Sequence, residues 1–469
     1  MKNKQPRRGR SRFLRWLNVP TALGLLAIAQ TAILLLLLFT LLKSPDRITE
    51  VANSNEPMTL SFAVPPLEKK NWQPLIDKFE SQNPDIRLKV VPGSDVTDAL
   101  KAAYTTEFKN AEAKQANASY DLIYTDVVWV AEFAKAGWLK ELPPDRFPQD
   151  QLDLFLPGEV EAGRYQGKLY RLPFRTDVGL LYYRKDLLKE AGYKPPETFD
   201  ELLAVSRLLQ NNQRIEWGFV WQGQQYEGLV ATFFEVLQGF GGFWIDSSRV
   251  VGLDQPEAIA AAQFLQHTLT EKISPEDIIT FKESDSTQRF LKGQAAFLRN
   301  WSNVWTQIKP DPLLQPDPLL QPNPLLQPDP LLQSQVGILP MVHAPGVIGR
   351  ACRGGWGFAV ANRSRYPEAA FRAIQFFASE ASQRQFILQD SYVPTIKKLF
   401  NDPEIVKRYP YFPELVDIIK NSASRPAIPE YEQISGILQN NLSKMLRGQP
   451  SPEEAMTTAA QETRVVLKG

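Results

Sequence analysis

Met58-Thr-Leu-Ser-Phe-Ala-Val64, Ile86-Arg-Leu-Lys-Val-Val91 and Asp121-Leu-Ile-Tyr124 are three short apolar or alternating segments, and each reads as a strand. Between the first two, Trp72, Leu75, Ile76 and Phe79 recur at helical spacing. The second segment stops at Pro92-Gly93, and a helical pattern runs from Val96 to about Ala113. A further helix is expected from Val127 to Ala136, ended by Gly137. This order of strand and helix implies an α/β protein whose mainly parallel sheet is covered by helices. Ligands of such sheets bind beyond the carboxyl ends of the strands. Asp126 lies two residues past one such end.

Working outward, residues 185–305 are richer in helix. The patterns predict helices over 198–211, 226–240, 255–271 and 284–292, with strands near 216–221 and 295–299. The last hundred residues predict helices over 366–379, 381–389, 430–446 and 451–467. Pro429 and Ser451-Pro452-Glu-Glu454 mark the starts of the last two. Residues 310–333 stand apart. There the unit Pro-Asp-Pro-Leu-Leu-Gln occurs four times, with Asn323 replacing one aspartate. Proline at that density forbids helix and sheet interiors, so an irregular or polyproline-like insertion is expected.

The amino-terminal end has a different character. Residues 1–18 carry seven basic side chains and no acid, which predicts a cytoplasmic tail. Residues 19–42 carry no charge, and twenty-four residues at helical rise can cross a bilayer, so an uncleaved transmembrane anchor is expected. Residues 43–57 read as a polar linker with a span of roughly 20 Å. The body then lies outside the cytoplasm, periplasmic or extracytoplasmic, tethered to the inner (plasma) membrane.

At 469 residues the chain is too long for one ordinary core, so two lobes are expected. Subtracting the seven basic residues of the tail from the formal charge of +1 leaves −6 on the rest. A mildly acidic body argues against nucleic acid as a partner. Cys352 is the sole cysteine, and His267 and His343 are the sole histidines. This excludes an intramolecular disulfide and a cysteine-ligated metal, and leaves no material for a multi-histidine site. No metal and no cofactor are expected.

Several segments together resemble family 1 of the bacterial ABC-type extracellular solute-binding proteins, especially its trehalose/maltose-binding branch. They are Asp121-Leu-Ile-Tyr-Thr-Asp126 with Ala136-Gly-Trp-Leu139, Gly167-Lys-Leu-Tyr-Arg-Leu-Pro-Phe-Arg-Thr-Asp177 running into Gly179-Leu-Leu-Tyr-Tyr183, and Pro196-Glu-Thr-Phe-Asp200. Later ones are Tyr226-Glu-Gly228, Gly293-Gln-Ala-Ala-Phe297 leading to Trp301, Gly354-Gly-Trp356, Arg425-Pro426 and Ser451-Pro-Glu-Glu-Ala455. The likeness spans nearly all of residues 58–469; the anchor and the hexapeptide insertion depart from it. It implies the two-lobe periplasmic-binding-protein (type II) fold with a hinge and an interlobe cleft. Lobe 1 would take residues 58–174 and 351–400, and lobe 2 residues 178–350 and 401–469. The first crossing would fall between Pro173 and Val178.

A sugar presents hydroxyls at its edge and C–H groups on its faces, so it needs carboxylate or amide acceptors together with flat aromatics. The matched positions carry both. Asp126, Asp177 and Glu227 would accept hydroxyls. Trp301 and Trp356 would sandwich a ring, with Tyr226 widening the platform. Arg425 would donate, and Gly354 and Gly355 would let backbone approach beside Trp356. Glu68 would face the cleft. Arg175 stands where this branch often has an aromatic. Read alone, an aspartate such as Asp126 after a strand is more often a helix cap.

The implied function is that of the binding subunit of an ABC importer. It would be a monomer that closes on a glucose-containing disaccharide or glucosylated polyol and delivers it to permease subunits driven by separate ATPase subunits. A carbohydrate-active hydrolase built on paired carboxylates, or a tethered sensor or scaffold using the repeat, are the alternatives. The chain lacks a phosphate-cradling glycine-rich loop with its lysine.

Overall fold

The computed structural model describes residues 56–94, 96–308, 335–389 and 392–468. The apolar run 19–42 and the repeat 310–333 lie outside the described residues. No helix among the described residues is long and apolar enough to cross a membrane.

Strand β1 (Met58–Val64) and strand β2 (Ile86–Pro92) pair in parallel, Met58 opposite Ile86. Helix α1 (Lys69–Gln82) crosses between them and buries Trp72, Leu75, Ile76 and Phe79, the face that the spacing defines. Trp72 is wholly buried. It meets the rings of Phe62, Tyr124, Phe174, Phe358, Phe377 and Phe386 at centroid distances of 4.9–5.8 Å. These six rings come from far-separated segments, so one indole ties the core of the first lobe together. Helix α2 (Thr97–Ala113) follows, then strand β3 (Leu122–Asp126). The Asp121 N–H donates to the Ser61 carbonyl at 2.9 Å, and the Ser61 N–H donates to the Asp121 carboxylate at 3.0 Å. That exchange seats β3 beside β1.

The thirteen-residue strand β4 (Leu172–Arg184) runs through both halves of the molecule. Beyond it come β5 (Trp217–Val220), α3 (Glu227–Gly239), α4 (Glu283–Leu291), β6 (Ala295–Trp301), β7 (Cys352–Ala361) and α5 (Tyr431–Leu446). The first part of β4, Leu172 to Val178, pairs with β7. Its second part, Gly179 to Tyr183, pairs with β6. The handover between the halves therefore falls at Asp177-Val178-Gly179.

The sheet is mixed, which corrects the expectation of a mainly parallel one. β1 with β2 and β5 with β6 are parallel, but β7 is antiparallel to both β3 and β4, and β4 is antiparallel to β6. The cause is the late return of β7 into the first lobe, where it inserts between β3 and β4. The alternation of strand and helix does not encode which strands become neighbours.

A buried ion pair braces the crossing. Glu235 on α3 receives two bonds from Arg299 on β6, at 2.6 and 2.9 Å, and neither side chain is exposed. Glu235 also accepts the Cys352 N–H at 3.0 Å. A Cβ at Gly179 would fall 1.5 Å from the Glu235 carboxylate, so the crossing strand requires glycine there. Burial pushes the Cys352 thiol up to about 12, and the side chain serves packing. Helix Pro403–Arg408 stays beside Glu380–Gln389: Arg384 reaches Asp402, which caps its start, at 2.9 Å, and the hydroxyl of Tyr409, at its end, donates to the Ile387 carbonyl at 3.2 Å.

Candidate functional site

The floor of the cleft is laid by two antiparallel strands. Arg175, Thr176 and Asp177 of β4 sit opposite Trp356, Gly355 and Gly354 of β7. Gly355 has φ of +153°, and a Cβ on it would lie 3.0 Å from the Arg175 carbonyl oxygen. A side chain there would hold the two strands apart. Trp356 is half-buried and stacks on Tyr124 at 4.9 Å and 27°, with Trp129 edge-on at 5.4 Å. The ring is fixed from behind, which suits a flat platform.

Arg175 is committed within this floor. Its Nε donates to the Tyr124 hydroxyl at 2.8 Å, Nη1 to Asp177 at 2.6 Å and Nη2 to Glu68 at 2.8 Å. Its guanidinium lies 4.4 Å from the centre of the Tyr392 ring. Asp177 Oδ1 is buried without a hydrogen-bond partner. Burial pushes the Asp177 carboxyl up to about 7; Arg175 opposes this, while Glu68, Glu159 and Asp126 add to it.

Asp126 is the last residue of β3 rather than two residues beyond the strand, because its pairing with Trp356 extends the ladder. It accepts the Val128 N–H at 3.3 Å, so the capping role is real, and it lines the cleft as well. Arg425 lies 3.8 Å from Asp126 and bonds to Glu227 at the start of α3. Glu227 also accepts the Tyr431 hydroxyl and, at 2.6 Å, the Ser435 hydroxyl. Its oxygens are thus turned to protein partners, and Arg425 links one lobe to the other.

On the far wall, Glu283 of α4 accepts the Tyr226 hydroxyl at 2.6 Å and the Trp301 indole N–H at 3.2 Å. The Arg299 guanidinium backs the Trp301 ring at 4.4 Å. One carboxylate thus orients both aromatic groups.

Glu68, Asp126, Arg175, Asp177, Tyr226, Glu227, Trp301, Gly355, Trp356 and Arg425 all line a single cavity of about 500 Å³. That volume falls within the usual range for small-molecule sites. Three contributors were missed from sequence. Glu283 stands next to Lys282 at an ordinary helix start, Tyr392 precedes a two-residue strand, and Tyr124 sits inside an apolar run; none carries a local signal. No group of three or more acidic, histidine or cysteine side chains able to hold a metal occurs among the described residues.

Farther out, α2 faces α5. Lys101 reaches Glu132 at 2.6 Å and also bonds to Glu432, while Gln439 donates to Asp98 at 3.4 Å.

Residues 65–384 match the family described as bacterial extracellular solute-binding protein. A probable ABC transporter-binding protein of Deinococcus radiodurans is 29% identical over 382 residues, covering 79% of this chain and 84% of its own. The maltotriose-binding protein of Pyrococcus abyssi is 24% identical over 385 residues, covering 81% and 76%. The maltose-bound MalE3 of T. maritima aligns with a TM-score of 0.77 at 32% identity, covering 87% of this chain and 99% of that one. The chain therefore belongs to the bacterial extracellular solute-binding proteins, which serve ABC transporters, and is a binding protein and not an enzyme.

Proposed function

We propose that this chain captures a glucose-containing disaccharide or a glucosylated polyol in the interlobe cavity and delivers it to the permease of an ABC importer. The observation that carries this reading is the pairing, around one cavity, of two separately braced indoles with a buried carboxylate that has an unmet acceptor at Asp177 Oδ1. Trp356 would take one face of a sugar ring and Trp301 the other. Asp177 and Asp126 would accept hydroxyls, and Arg175 would donate through the N–H groups it does not spend on Glu68, Asp177 and Tyr124. Ligand favours closure only through contacts that it gains in the closed form.

The protein would work outside the cytoplasm as a monomer, with residues 19–42 as anchor and residues 43–57 as tether. Tethering raises its effective concentration at the permease, and ATP hydrolysis belongs to separate subunits. We take the second return to lobe 2 beyond residue 409, because Asp402 and Tyr409, at the two ends of helix Pro403–Arg408, are bonded to the lobe 1 helix Glu380–Gln389.

A thermal-shift screen of trehalose, maltose, sucrose and glucosylglycerol, followed by calorimetry, tests the reading. Trp356→Ala should weaken binding of the best ligand more than tenfold with the fold intact. Equal affinity in the variant removes Trp356 from the site, and the absence of any response to the sugars sinks the assignment.

A further inference from the structure

The proposed ligand is a saccharide, and the charges around the cavity narrow its class. Two clusters, each nine-tenths buried or more, line the cleft. In the first, Arg175 is held by Glu68 and Asp177. In the second, Arg425 is bonded to Glu227, with Asp126 3.8 Å away. Each cluster has two carboxylates to one guanidinium, so each is formally one negative charge in excess once Asp177 is ionised, above about pH 7. The other charged groups of the wall do not reverse this. Lys282 and Glu283 are neighbours of opposite sign, and Lys70 is exposed, where water and salt screen it. The surplus has an outlet at Asp177, whose Oδ1 is buried without a hydrogen-bond partner. Once Asp177 is ionised, a hydroxyl or an ammonium can serve that oxygen; an ionised carboxylate or a phosphate dianion has no proton to give it.

We infer that the cleft selects by charge: it accepts neutral and amine-bearing saccharides and rejects uronic acids and sugar phosphates of the same size. This rests on the sugar-binding reading above. Two like charges about 6 Å apart, at an effective dielectric of about 20, repel strongly enough to lower an affinity roughly a hundredfold.

The test is calorimetry on the full chain at pH 8, where Asp177 is ionised, with matched probes: trehalose and maltose, their 6-phosphates, and their 6-amino-6-deoxy derivatives. Each phosphate should bind about a hundredfold more weakly than its parent sugar, and each amine at least as tightly. Because a phosphate is also bulkier, Asp177→Asn provides the charge control. It should narrow the gap between phosphate and parent sugar about tenfold, with thermal melting verifying the fold. Phosphates that bind as tightly as the neutral sugars overturn the inference while leaving sugar binding intact. So does a gap that Asp177→Asn leaves unchanged, because the discrimination would then be steric. Failure of every probe to bind instead removes the sugar-binding reading itself.

Discussion

Glu283 offers the most direct test of how the aromatic wall is organised. Its carboxylate receives the Tyr226 hydroxyl at 2.6 Å and the Trp301 indole N–H at 3.2 Å. Replacing Glu283 with alanine alters neither ring but frees both to rotate. Ordering a mobile side chain on binding costs about 0.5–1.5 kcal/mol, so two rings together cost about 2 kcal/mol, or roughly thirtyfold in affinity. The loss of an acidic side chain from the first turn of α4 removes about 0.5 kcal/mol of helix stabilisation, so melting should fall only slightly. Calorimetry of Glu283→Ala with the best sugar from the screen measures the binding loss. Glu283→Gln, which keeps one acceptor, should fall between the parent and the alanine variant. In a Trp301→Ala background the same change should cost only the Tyr226 share, because the two rings are coupled through one carboxylate. An affinity within twofold of the parent, or full additivity with Trp301→Ala, would show that Glu283 does not position the wall.

Two further outcomes follow from the brace and the rim. Gly179→Ala forces a methyl group into the Glu235 carboxylate that holds Arg299 and the Cys352 N–H. Breaking a buried pair costs about 3–5 kcal/mol, so the melting temperature should drop by roughly 10 °C; a change under about 2 °C would refute the brace. At the rim, burial pushes the Asp98 carboxyl up to about 6, with Glu227 and Glu432 adding repulsion. Between pH 3.8 and about 6 the folded chain keeps a proton that the unfolded chain has released, so stability falls as pH rises through that window. Asp98→Asn should flatten this part of the melting-temperature profile; an unchanged slope would mean that Asp98 does not titrate as described.

The helices and strands of the body were legible because their faces are. Trp72, Leu75, Ile76 and Phe79 recur at helical spacing and are buried together, and the run 295–299 lies inside the strand Ala295–Trp301. Strand neighbours were not legible, since β7 joins β3 and β4 across more than 170 residues of chain and no local period records that. The ten candidate residues were named through matched motifs, and all of them line one cavity. What the motifs left out is how those residues spend their bonds. Glu227 faces Arg425, Tyr431 and Ser435, and Glu283 governs two rings, because such pairings depend on side chains brought together only by folding.

The long strand β4 carries Asp177 only two residues from Gly179, where its partner changes from β7 to β6. Were the halves to swing, a group so close to the pivot would travel least, and Trp301, the strand partner of Gly179, sits at the same pivot. The acceptor and that ring would then keep their spacing whether the halves stand apart or together, so a guest could be half-held before it is enclosed. Changes at Asp177 or Trp301 should therefore register in the speed of capture as well as in how long the guest is kept.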